Sequence, residues 1–217
     1  GILFAKYVHS IEHSMPILLL SNEKEALKLA REITPNVLYK NSSALFSDLR
    51  NFMIYNFGKI FNLSKDIATK SQLFIIGTGE EKLINEIQAK VDDYKLKDSI
   101  TICGFLPIPA QNFISKLDIL VMPTIDFEGF GYSMVEAMVF GIPIVASKVG
   151  AIPEIIDNEV DGFVIEPQNF NKWIKILNKL ILDKKLREKI GKNGKNKIVK
   201  NFSAIEMANN FYYHCLF

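Results

Sequence analysis

Residues 126–167 read DFEGFGYSMVEAMVFGIPIVASKVGAIPEIIDNEVDGFVIEP, and the fold is decided inside that run. Two carboxylates, Glu128 and Glu136, stand on either side of a Gly129-Phe130-Gly131 turn, with seven residues between them. Apolar residues at helical spacing follow the second glycine, so the turn opens a helix over Gly131–Phe140. Two short β-branched runs come next, Ile142–Ala146 and Gly162–Ile165, with a helical piece at Ile152–Asp157 between them. Gly129 and Gly131 let the backbone approach a ligand, or take a positive φ, without a Cβ clash. With the helix starting at Gly131, the amides of Tyr132 and Ser133 face the space above the preceding strand. A diphosphate there gains charge-assisted hydrogen bonds and a favourable helix dipole. Glu136, about a turn and a half into the helix, is in reach of a ribose diol, and Glu128 is placed to meet a sugar. The plain alternative is a glycine turn into an amphipathic helix carrying two solvated acids. Spacing alone divides the two readings evenly.

Working outward, short apolar runs alternate with longer helical patterns, the signature of a parallel α/β sheet. Strands are expected at Ile2–Val8, Gln72–Ile76, Ser99–Cys103 and Ile119–Met122, and helices at Glu80–Tyr94 and Pro109–Lys116. From Asn169 onward the pattern is helical, with a break expected at Asn193-Gly194. Met15–Leu20 is apolar and flanked by polar residues, and reads as part of a buried helix. A helix beginning at Asn22–Ala26 should end near Pro35, and residues 23–70 as a whole read as an insertion. Residues 1–217 thus form one Rossmann-like domain, a parallel sheet flanked by helices with a helical C-terminus.

The bulk numbers exclude several classes. A chain of 217 residues with 48% hydrophobic and 23% charged residues can bury a substantial core. A formal net charge of +2 gives no global field for nucleic acid. Cys103 and Cys215 have neither zinc-ligand nor disulfide-framework spacing, which suits a reducing, cytoplasmic setting. No apolar run approaches the roughly 20 residues of a membrane-spanning helix, and no signal peptide is visible. The chain opens on Gly1 and enters a strand almost at once, which reads as the start of an excised domain. Gly77-Thr78-Gly79 suggests a dinucleotide loop, but Lys82 stands where that motif needs its third glycine.

EGFGYSMVEAMVFGIPIVASKVGAIPEII followed by DGFVIEP resembles the donor-binding signature of the family 4 retaining glycosyltransferases, enzymes of the GT-B fold. The likeness extends through LFIIGTGEEK, SITICGFLP and KLDILVMPTIDFEGFG to NFSAIEMANNFYYH at the C-terminus. It implies the C-terminal, donor-binding half of a GT-B enzyme that moves a sugar from a nucleoside diphosphate to an acceptor hydroxyl with retention. By that resemblance Glu128 is the catalytic carboxylate, touching sugar hydroxyls and placing the anomeric carbon. Gly129 and Phe130 line the donor turn, and Gly131, Tyr132 and Ser133 present amides to the diphosphate. Glu136 holds the ribose, and Phe105 and Leu106 lie near the base. No metal or other cofactor is implied. The implied partners are the nucleotide-sugar donor, a glycan or lipid-linked acceptor and an N-terminal acceptor domain, which is absent from these residues.

The chain departs from the family at its N-terminal cations. Lys6-Tyr7 and His13-Ser14 stand where Gly-Arg and Lys-Gly are usual, and neither a lysine nor a neutral histidine equals the expected pair. His9 and His13 read as surface or packed residues. A non-catalytic nucleotide-sugar-binding module and a nucleotide-sugar epimerase on the same scaffold are therefore carried as alternatives, with a dinucleotide oxidoreductase behind them. Lys184–Lys200 holds eight basic residues against one acid, Glu188. A solvated basic helix is the first reading, and peripheral contact with the inner face of a membrane the second.

Overall fold

The computed structural model describes residues 17–21, 71–76, 81–104, 110–125, 128–202 and 206. Among these described residues twelve elements follow in chain order: β1 (Ile17–Ser21), β2 (Gln72–Ile76), α1 (Glu81–Asp93), β3 (Ile100–Gly104), α2 (Ala110–Ile114), β4 (Ile119–Met122), α3 (Tyr132–Val139), β5 (Ile144–Ser147), α4 (Ile152–Ile155), β6 (Phe163–Ile165), α5 (Phe170–Leu182) and α6 (Lys184–Asn201). The strands form one sheet in the order β3-β2-β1-β4-β5-β6, the doubly wound order with its switch point between β1 and β4. β2 and β3 are parallel, as are β4, β5 and β6, while β1 runs antiparallel to both neighbours, β2 and β4. The strand expected at Ile2–Val8, the insertion at 23–70 and the Gly77-Thr78-Gly79 loop lie outside the described residues.

Strand periodicity explains the layers. Side chains alternate across a sheet, so a strand buried on both faces reads as an unbroken apolar run. Odd positions Leu73, Ile75, Ile119, Val121, Val145, Phe163 and Ile165 share one core with Ile87 and Val91 of α1 and Trp173, Ile176, Leu177 and Leu180 of α5. Even positions Phe74, Ile76, Leu120, Met122, Ile144, Ala146 and Val164 share the other with α2, α3 and α4. Phe74 meets Phe113 of α2 edge to face at 5.6 Å. Burial pushes the Cys103 thiol up to about 12, in keeping with a small packed hydrophobe.

Two expectations are corrected. Of the helix expected over Met15–Leu20, the described part, Ile17–Leu20, is a strand instead: Ile17–Ser21 is paired on both sides. Four apolar residues and a serine fit either period, and two ladders of backbone hydrogen bonds decide for the strand. Asn193-Gly194 does not break the last helix, which runs unbroken from Lys184 to Asn201. A side chain at 191 would overlap the Gly141 carbonyl, and one at 194 would sit 3.0 Å from the Asp161 carbonyl and 3.2 Å from Met138 Cε. The helix accepts two glycines because other backbone passes against it there.

Polar contacts complete that docking. Asn193 Nδ2 donates to the Val160 carbonyl at 2.8 Å. Lys197 Nζ lies 2.8 Å from Asp157 Oδ2 and 3.1 Å from Asp161 Oδ2. Asp161 is 3% exposed, and burial raises its carboxyl above the usual aspartate value while Lys197 opposes the shift. A raised folded-state value means that ionisation costs stability: the contribution is present below the unfolded-state pKa and is lost as pH rises through the folded-state one. Lys197→Met keeps the stem but removes the opposing charge. It should cost about 2 kcal/mol near pH 7, and the deficit against wild type should shrink as pH falls toward about 5. Urea unfolding of both proteins across that range checks this, and a deficit that is flat or grows on acidification refutes it.

Candidate functional site

β2 to β6 all run in one direction, so Gly104, Met122, Ser147 and Ile165 mark a common carboxyl edge. In open α/β sheets this is where ligands bind. The loops after β4 and β5 meet there. The first is closed by Glu128, which is only 3% exposed. Its Oε1 accepts the Gly131 N–H at 2.9 Å and the Phe130 N–H at 3.3 Å. Gly131 caps α3 in the left-handed region, at φ 71 and ψ 56, a conformation that a side chain strains. From the second loop, the Ala151 N–H donates to the Glu128 carbonyl at 3.0 Å. Gly150, with φ 50, lies so close that a Cβ would overlap that carbonyl oxygen. Glu128 is thus held through both side chain and backbone, which removes the solvated-acid alternative for this residue.

The amides divide their work in a way the sequence did not foretell. Gly131 was expected to offer its N–H to a ligand; the structure gives it to Glu128 instead. Met134 and Val135 donate back to the Gly131 carbonyl at 2.9 and 3.1 Å. Tyr132 and Ser133 are the first two residues of α3, so their N–H groups have no acceptor within the helix. Gly129 is exposed, and Phe130, Tyr132 and Ser133 are half-buried. The Phe130 ring packs 5.0 Å from Tyr132 and 6.1 Å from Phe202, which joins the end of α6 to the turn.

Glu136 is half-buried on the second turn of α3, where its Oε1 accepts from Gln111 Nε2 of α2 at 3.1 Å. Neither Gln111 nor Gly150 was singled out in the sequence. No local motif marks Gln111, and Gly150 was visible only as one glycine of a longer pattern. Glu154 is exposed on α4. Lys148, just after β5, donates to Glu166 at 2.8 Å, and that bond holds its ammonium above the usual lysine value. Phe105, Leu106, Lys6, Tyr7, His9, His13 and Ser14 lie outside the described residues.

Comparison with known proteins agrees with this architecture. The profile of the Glycosyl transferases group 1 family matches residues 57–197. The UDP-Gal:alpha-D-GlcNAc-diphosphoundecaprenol alpha-1,3-galactosyltransferase of Escherichia coli is 29% identical over 66% of this chain, and the match covers 36% of that protein. The capsular polysaccharide biosynthesis glycosyltransferase CapM of Staphylococcus aureus is 35% identical over 43% of this chain and 24% of its own length. The chain thus spans roughly a third or less of these relatives. In structure it superposes on the C-terminal domain of a glycosyl transferase group 1 family protein from Francisella tularensis. The TM-score is 0.57 at 22% identity, covering 85% of this chain and 95% of that one. A glycosyltransferase from Rickettsia africae gives a TM-score of 0.67 at 20% identity, covering 88% and 51%. These likenesses establish the α/β architecture of one GT-B half. With the family profile matched over more than half its length, the chain belongs to the group 1 glycosyl transferases.

Proposed function

We propose that this chain is the donor-binding half of a retaining, family 4-type glycosyltransferase, moving a sugar from a nucleoside diphosphate to an acceptor hydroxyl. The observation that carries the reading is Glu128, a carboxylate 3% exposed at the carboxyl edge of the sheet, fixed by two backbone amides at the entry to α3. A buried anion aimed at a turn has a reason to be there when positive charge develops at an anomeric carbon in the transition state. The diphosphate lies against the Tyr132 and Ser133 amides and the dipole of α3, with no resident metal required. Glu136 takes the ribose hydroxyls.

The acceptor is a glycan or a lipid-linked saccharide, a reading supported by the diphosphoundecaprenol substrate in the name of the Escherichia coli relative. An N-terminal domain completes the acceptor side, and the enzyme works in the cytoplasm with its basic helix near the inner membrane face.

The experiment is a thermal shift with UDP, GDP, their sugars and NAD. A saturating nucleoside diphosphate should raise the midpoint by about 5 °C. Glu136→Ala should abolish most of that shift while lowering the unliganded midpoint by no more than about 4 °C, because Glu136 is half-buried and lies outside the apolar core cluster that anchors α3. Stabilisation by NAD alone overturns the reading.

A further inference from the structure

The bond from Gln111 Nε2 to Glu136 Oε1, 3.1 Å long, joins two elements 25 residues apart in sequence. Neither element is free to drift. Phe113 and Ile114 anchor α2, and Met134, Ala137 and Met138 anchor α3, in the same core cluster. Both helices follow strands whose carboxyl ends share one edge. The orientation of the amide is also determined, because an ionised carboxylate only accepts and so must face the nitrogen end.

A neutral donor on a charged acceptor has a specific consequence. The bond is charge-assisted and holds the carboxylate in one rotamer, lowering the ordering cost when a ligand arrives. Unlike a lysine or arginine, the Gln111 amide brings no charge of its own against the carboxylate, so this bond orients Glu136 without adding an ion pair. A glutamate at 111 would repel Glu136, and an aliphatic side chain would remove this bond.

We propose that Gln111 is a positioning residue for Glu136 and, through it, sets how strongly a nucleoside diphosphate is recognised by its ribose hydroxyls. This inference rests on the donor-site reading above. It is tested with UDP and GDP, and with the analogue of each whose ribose lacks both hydroxyls, by calorimetry on wild type, Gln111→Leu, Glu136→Gln and the double variant. Wild type should prefer the ribose form. Gln111→Leu should weaken binding of that form by about fivefold and leave the deoxy analogue nearly unchanged. In the double variant the two losses should not add.

A residue that merely supported the helices would weaken both ligands alike, so equal losses overturn the proposal. Unchanged affinity of Gln111→Leu for every ligand overturns it too, and so do additive losses in the double variant. If wild type binds neither UDP nor GDP, or Glu136→Gln retains the full ribose preference, the donor-site reading fails and the proposal falls with it. Gln111→Ala repeats the measurement should leucine disturb folding.

Discussion

Gly150→Ala should lose about 3 kcal/mol of stability and at least about tenfold in nucleoside diphosphate affinity. Two costs combine. The residue sits at φ 50, where an L side chain is strained by roughly 1–2 kcal/mol. Its new Cβ would also overlap the Glu128 carbonyl, with the Glu128 nitrogen 2.8 Å and carbonyl carbon 2.9 Å away. All three are backbone atoms, so no side-chain rotation gives relief. The loop after β4 must move, breaking the 3.0 Å bond from the Ala151 N–H and tilting the carboxylate away from the Gly131 amide. None of the fully buried members of the two core clusters lies in this loop, and only half-buried Phe130 packs against them from it, so the domain should remain folded and the site should fail first. Urea unfolding with UDP and GDP titrations measures both effects. Wild-type affinity in Gly150→Ala would show that the two loops are not coupled.

How far the chain could be read before its structure was known follows from which forces are local. β2 and β4 have the bounds that their apolar runs suggest, Gln72–Ile76 and Ile119–Met122. Doubly buried strands write themselves as uninterrupted Val/Ile/Leu/Met runs. α3 was legible from its glycine start and its spacing. What escaped depended on partners distant in sequence. Ile17–Ser21 is a strand because of what lies on either side of it, and nothing in ILLLS reports those neighbours. Asn193-Gly194 looks like a helix breaker until Asp161 and Met138 are seen pressed against Gly194, as Gly141 is against Gly191. The site divides in the same way. Glu128, Glu136 and the glycine turn stand out locally, whereas the loss of the Gly131 amide to Glu128 and the bond from Gln111 come from tertiary placement.

Glu128 should split into two roles when it is substituted in two ways. Its Oε1 holds the Gly131 and Phe130 amides, and that duty needs an acceptor oxygen but no charge. Glu128→Gln retains such an oxygen, so the turn, the left-handed Gly131 and the start of α3 should survive. Stability should stay within about 1 kcal/mol and nucleoside diphosphate affinity within about threefold. Glu128→Ala takes the acceptor away, orphans two amides at a buried turn and should cost about 2 kcal/mol together with most donor affinity. Transfer separates the variants differently. If the carboxylate steadies positive charge at the anomeric carbon, its charge matters only in the transition state. Glu128→Gln should then lower kcat by about 100-fold with little change in donor KM. The measurement is sugar transfer under saturating donor, paired with urea unfolding and diphosphate titration. A Glu128→Gln enzyme that keeps kcat within about threefold of wild type would leave Glu128 as a cap on α3 and nothing more. A fall in kcat with intact binding and intact stability would separate its chemistry from its architecture.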